Sequence, residues 1–291
     1  MVHEPDNDRI HPAALLAKAR LGRHPILRPG ERADPYRRLL LAAFGEGRDG
    51  PLDPWRRRTS ARLVARAEVA DIDRVMGDLA PARWPAPLAL ARAIGAPPEV
   101  IDAAGPRVVK TVHGCLALGW TLEVVAPTAT AVLVRHPANV IGSWADMGWK
   151  LQRFPWHRTE LWARHGPPGI DPGVGRPATS IEQGAWQFAL LANALLTQAE
   201  ERSLVVSDHE DVLDDPPTAL AALATRLGLV WTEQAEAWVR ASDAPGEGYD
   251  LHRVAAQERG RWRTRLPADE LAVVADVLDR FPRLRGRWPL R

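Results

Sequence analysis

Between residues 107 and 150 the apolar positions fall into two short runs, each followed by a helical pattern. Val108-Val109 leads into Lys110-Thr111-Val112-His113, and Ala131-Val132-Leu133-Val134 leads into Arg135-His136-Pro137. A buried middle, a polar carboxyl end and a helix behind it mark a parallel strand in an α/β domain. The pattern predicts strands over 108–113 and 131–135, with helices over about 114–125 and 137–149. Upstream, residues 8–106 read as helices over 11–21, 34–44, 54–80 and 85–94, joined by Pro- and Gly-containing loops. Downstream, 153–180 carries Pro155, Pro167, Pro168, Pro172 and Pro177 and predicts a long irregular lid or binding loop. Ser180 with Gln183 reads as a capping box opening a helix over 180–201, and 204–207 reads as a third strand. Asp215-Pro216 opens a further helix closed by Gly228, and helices over 232–241 and 267–280 flank a loop at 242–260. Strand, helix, strand and helix in succession predict an α/β fold with a parallel sheet.

Composition adds bounds more than chemistry. A chain of 291 residues, 46% hydrophobic and 25% charged, has the size and make-up of one large soluble domain. The net charge of +2 and pI near 9.0 come from many arginines in near balance with acids, which does not describe a nucleic-acid-binding face. Arg56-Arg57-Arg58 accordingly reads as a solvated helix face. The single cysteine, Cys115, excludes an internal disulfide and a cysteine-rich zinc site. No apolar run approaches ~18 residues and the polar N-terminus carries no signal pattern, so a cytoplasmic protein with no membrane partner is expected. Lysine occurs only at 18, 110 and 150, which makes Lys110 unlike surface filler.

The candidate chemistry sits at the strand ends. Arg135 at a strand tip and Ser143 in the following helix can converge on one anion: the guanidinium supplies a fork, the hydroxyl a donor and the helix start a partial positive charge. Lys110 and His113 occupy the end of the preceding strand. No G-x-x-x-x-G-K-[ST] segment is present, which argues against a kinase of the P-loop class.

Arg135, Pro137 and Ser143, in R-x-P-x-x-x-x-x-S spacing, together with the Lys110-x-x-His113 segment, resemble the 3′-phosphoadenylyl-sulfate (PAPS) dependent sulfotransferases. The segment Ser207-Asp208-His209-Glu210-Asp211 with Asp215-Pro216, and Trp262-Arg263-x-Arg265-Leu266 near the C-terminus, are similar to two further signatures of that family. The resemblance implies a three-layer P-loop-NTPase-like fold, a parallel sheet flanked by helices, formed by 1–291 as a single domain with 153–180 as its substrate loop. PAPS is the implied cosubstrate, with no metal, and the acceptor is a hydroxyl or amine of a small molecule, glycan or peptide. Arg135 and Ser143 are implied ligands of the 3′-phosphate, with Arg253 or Arg259 as a C-terminal nucleotide contact.

Glu4, in His3-Glu4-Pro5, resembles the glutamate that some branches use as general base, and His113 competes for that role. The K-x-x-H spacing differs by one residue from the K-x-H common in the family, which turns a strand side chain to the other face. Lys110 is implied at the sulfate. The family's Gly/Ser/Thr-rich loop for the 5′-phosphosulfate is expected upstream of Met1, together with the first, central strand. Residues 45–50 and 173–180 are glycine-containing but neither follows a strand, so both read as surface turns. Without that loop, the chain is expected to be poorly soluble and to bind nucleotide weakly; a non-catalytic protein of the same fold is the alternative.

Overall fold

The computed structural model describes residues 2–8, 11–47, 50–77, 79–101, 105–146, 159–170, 177, 179–246, 252 and 254–290. They form a mixed α/β, mostly helical protein that divides into two compact units, Met1–Pro127 and Thr128–Arg291.

The first unit begins with strand β1 (Val2–His3), followed by α1 (Pro12–Lys18), α2 (Asp34–Ala43), α3 (Asp53–Ala65), α4 (Val69–Met76) and α5 (Ala86–Ile94). Strand β2 (Val108–Val109) and α6 (Leu118–Val125) complete it. β1 and β2 pair in parallel, Val2 opposite Val108 and His3 opposite Val109. Helix α2 turns Tyr36, Leu39, Leu40 and Ala43 inward, the spacing of one helical face, and Tyr36 stacks on Trp120 of α6 at 5.5 Å. A second core joins Leu15 of α1 to Val64, Ile72, Val75, Met76 and Leu88.

Two expectations change here. The helix expected over 54–80 is two, because the N–H groups of Arg66 and Ala67 bond only three residues back and close the turn before α4 starts. The strand expected over 108–113 ends at Val109. The Thr111 hydroxyl accepts from Gly114 N at 3.0 Å, turning the chain into a short 3₁₀ helix at Gly114–Leu116. The turn after α2 has a structural use: Gly45 has φ +86°, and a Cβ there would enter the Arg107 guanidinium, which donates to Phe44 O.

The second unit contains β3 (Ala131–Val134), α7 (Pro137–Asp146), α8 (Thr159–His165), α9 (Ser180–Glu201), β4 (Val205–Asp208), α10 (His209–Asp214) and α11 (Pro216–Arg226). α12 (Glu233–Ser242), α13 (Ala255–Arg259), α14 (Trp262–Arg265) and α15 (Ala268–Leu278) follow. β3 and β4 are parallel, from Ala131 opposite Val205 to Val134 opposite Asp208. Helix α9 is buried on several faces and packs against α15, α7 and α8, so it is the core element of this unit. Trp186 on α9 meets Trp162 of α8 at 5.4 Å and Phe281 at 5.8 Å.

Among the described residues the parallel pairing is confined to two two-stranded sheets, one in each unit. β3 alternates: Val132 and Val134 are buried while Ala131 and Leu133 are exposed, the signature of a sheet covered on one face. The 153–180 stretch is not wholly irregular, since α8 lies inside it with Leu161 and Trp162 buried. A Glu160–Arg164 pair one turn apart supports that helix. Residues 153–158, 171–176 and 178 of that stretch lie outside the described residues. No helix among the described residues is long and apolar enough to cross a membrane.

Candidate functional site

Two groups of candidate residues are built at strand ends, one in each unit. In the first unit the loops that follow β1 and β2 lie side by side, because the strands are parallel and in register. That register brings Glu4 and Lys110 into an ion pair. Asn7 Nδ2 also donates to Glu4 Oε2 at 3.2 Å. Burial would raise the Glu4 carboxyl, but the hydrogen bonds from Lys110 and Asn7 and the Lys110 charge outweigh it and hold it below its ordinary value. The Lys110 side chain is 58% exposed and that of Glu4 23%, so the pair faces solvent.

His113 is placed differently. It is buried, and its Nδ1 lies 2.9 Å from Lys18 Nζ and 3.0 Å from the Asp6 carbonyl oxygen. Nδ1 accepts from the former or donates to the latter according to the tautomer. Burial, and then the Lys18 charge, lower its pKa despite Asp8 and Asp6 nearby. The ring meets His24 edge-on at 5.2 Å.

Beneath the Glu4–Lys110 pair is a charged cluster that sequence reasoning passed over. Lys18 is fully buried, and its ammonium donates to Asp8 Oδ1 at 3.1 Å and to Arg23 O at 3.2 Å. Asp8, also fully buried, accepts from Arg23 Nε at 3.0 Å, and Arg23 reaches on to Asp73 at 2.9 Å. Burial pushes the Asp8 carboxyl up, yet the Lys18 and Arg23 charges win and hold it far below the usual carboxylate range. Asp6 accepts from Tyr36 Oη at 3.2 Å and from the Thr111 hydroxyl. The scarcity that singled out Lys110 applies equally to Lys18, and would have found it.

In the second unit the carboxyl ends of β3 and β4 bring Arg135 beside His209 and Glu210, with α13 and α14 packed nearby. Among the described residues the Arg135 guanidinium has one loose ion pair, 3.6 Å to Glu258, and its Nε has no hydrogen-bond partner. Burial lowers its pKa first; Glu258 and Glu210 oppose that, and Arg265 and Arg261 add to it. Glu210 accepts from His136 N at 2.9 Å and from Asn139 Nδ2 at 3.4 Å, bracing the end of β4 against the start of α7. Asn139 Oδ1, Asp208 Oδ1, His209 Nδ1 and Glu210 Oε2 are also buried without a hydrogen-bond partner among the described residues. Unpartnered polar atoms therefore gather at the carboxyl ends of a parallel pair, where ligands of open α/β sheets bind.

Ser143 lies on α7, half-buried, six residues beyond Pro137 and so roughly 9 Å along the helix axis. Arg265 packs over the neighbouring Gly142, where a Cβ would meet its side chain at 3.1 Å. Trp262 stacks on His136 at 4.7 Å and 11°, joining the Trp262–Leu266 segment to the Arg135-His136-Pro137 turn. Arg259 is tied to Asp214, and Arg253 lies outside the described residues. Among the described residues no group of three or more His, Cys, Asp or Glu side chains could hold a metal ion.

No protein-family model, curated protein sequence or solved structure matches the chain.

Proposed function

We propose that the chain is a sulfotransferase-type protein of the cytoplasm that moves a sulfuryl group from PAPS to a hydroxyl or amine of a small molecule, glycan or peptide. The reading assigns the chain to a three-layer P-loop-like fold, and it rests on the arrangement around Arg135. A half-buried guanidinium with one loose carboxylate partner among the described residues, at the carboxyl end of parallel β3 and β4, has donors left for a phosphate. Ser143, on the helix that follows, is the second donor in this reading.

In the reaction the acceptor oxygen or nitrogen attacks sulfur, a new S–O or S–N bond forms, and the S–O bond to the bridging oxygen of PAPS breaks. Adenosine 3′,5′-bisphosphate leaves with the electron pair, and the acceptor's proton passes to a general base. Of the two first-unit candidates for that base, Glu4 reaches solvent whereas His113 is enclosed. Lys110, beside Glu4, is the first unit's candidate for the positive charge that such a transfer needs.

Isothermal calorimetry with adenosine 3′,5′-bisphosphate tests the reading. Arg135→Ala should weaken binding by about 2 kcal/mol, roughly thirtyfold, as for one lost charge-assisted contact. Absent binding, or an unchanged affinity in Arg135→Ala, overturns it. Binding without turnover of PAPS would identify a non-catalytic protein of the same fold.

A further inference from the structure

The first unit encloses more charge than its fold needs. Asp6, Asp8 and Lys18 are fully buried, and His113 nearly so. Burying ion pairs is costly, and well-packed apolar side chains of similar volume often serve stability as well or better. The cluster also has a direction. Asp6 and Asp8 belong to the loop that carries Glu4, and Thr111 and His113 to the one that carries Lys110. The Asp6 carboxylate takes the Thr111 hydroxyl, the Asp6 carbonyl faces His113 Nδ1 at 3.0 Å, and Lys18 spans Asp8 and His113 at 3.1 and 2.9 Å. Tyr36 holds Asp6 from α2, and Arg23 holds Asp8. The two loops are thus joined below the surface at several points, and above them stands the Glu4–Lys110 pair.

We infer that Lys18, Asp8, Asp6, Tyr36, Thr111 and His113 form a buried clamp that positions Glu4 against Lys110, and that His113 is a positioning residue of this clamp and not the proton acceptor. The inference rests on the sulfotransferase reading for what Glu4 does, but the clamp itself can be tested without a nucleotide. Glu4 is reached through its own loop. A clamp that slackens lets the loop drift from Lys110 and removes the contacts that lower the carboxyl's pKa and keep it aimed.

The test is a carbon-13 NMR titration of the Glu4 carboxyl in the full chain, its resonance assigned by its loss in Glu4→Gln. Thr111→Val and Tyr36→Phe remove one hydroxyl each, keep shape and change no charge, so any movement of Glu4 reflects position and not lost charge. The Glu4 midpoint is expected to rise by about half a pH unit or more in Thr111→Val, toward that of an exposed glutamate. His113→Ala should raise it likewise. His113→Asn, whose amide can replace Nδ1 toward Lys18 but cannot take up a proton near neutrality, should bring it back.

A Glu4 midpoint that stays at the wild-type value in folded Thr111→Val and Tyr36→Phe overturns the clamp. A His113→Asn midpoint that matches His113→Ala overturns the positioning role of His113. If His113→Ala does not fold, the two hydroxyl variants and His113→Asn decide the matter. Failure to bind adenosine 3′,5′-bisphosphate would count against the sulfotransferase reading and leave this titration untouched.

Discussion

At the scale of single residues, the most demanding position is Lys18. Its ammonium sits at 0% exposure, donates to Asp8 Oδ1 and Arg23 O, and lies 2.9 Å from His113 Nδ1, an acceptor in one tautomer. Lys18→Met would take the ammonium from buried Asp8 and leave Arg23 and the His113 ring beside it. Removing one partner of a buried pair is far costlier than replacing both, so Lys18→Met is expected to lower stability by about 3 kcal/mol. Lys18→Met with Asp8→Asn should recover part of that loss, as read by urea unfolding followed by circular dichroism. Equal losses in the single and double variants would mean that the pair is not coupled.

Lys18 also marks a limit of sequence reading. A lysine followed by Ala19-Arg20 on an amphipathic helix resembles any solvated position. What buries it is Asp8, ten residues upstream, and His113, ninety-five residues downstream. Glu4 and Lys110 were readable as candidates one at a time; that they touch depends on a two-residue parallel pairing that no local pattern specifies.

At the scale of elements, the central helix of the second unit gives the sharpest check. A capping Ser180 was expected, but Thr179 is the N-cap: its hydroxyl accepts from Glu182 N at 3.1 Å, and Ser180 is the first helical residue. Two adjacent hydroxyl residues fit the capping pattern almost equally, and the backbone decides, Thr179 being extended at φ −123°, ψ 160°. Thr179→Ala should therefore cost about 1 kcal/mol and Ser180→Ala only a few tenths, measured by denaturant unfolding. The reverse order would restore the one-residue-later cap, Ser180, read from the chain.

Elements with strong punctuation were legible. Asp215 accepts from Thr218 N at 3.3 Å and opens α11, and Gly228, at φ +68°, follows its end. Those set by tertiary contacts were not legible. β2 stops at Val109 because Thr111 turns to Asp6, and α8 interrupts the Pro-rich stretch because Leu161 and Trp162 are buried against neighbouring helices.

At the scale of the whole molecule, the titration of buried side chains sets the response to acid. Burial lowers His113, His136 and His209, and burial with the Arg164 charge lowers His165 to about 4. Each such histidine takes up its proton at a lower pH in the fold than in the unfolded chain, where the midpoint is near 6.5. The unfolded chain then binds more protons, and stability falls as pH drops from 6.5 toward 4. His165 alone accounts for on the order of 3 kcal/mol over that window. Asp8 acts next: its folded pKa is depressed below 3.8, so its contribution is lost as pH falls further. Thermal melts between pH 7 and pH 4 should show a midpoint that declines throughout; a flat profile would contradict the enclosed, neutral state of these imidazoles.

The clamp in the first unit bears on how the chain is made. Asp6 and His113 are 107 positions apart, and Lys18 and His113 are 95 apart. During synthesis Asp6, Asp8 and Lys18 leave the ribosome long before Thr111 and His113 exist, so for most of that time their charges must remain in water. Helices α1 to α5 can form as they emerge, but β1 cannot pair until Val108 is made. Contacts of such long separation carry their loop-closure entropy before they return any stability. The first unit is thus expected to close in one late step, once translation has passed residue 113, with its future interior charges serving until then to keep the growing chain hydrated.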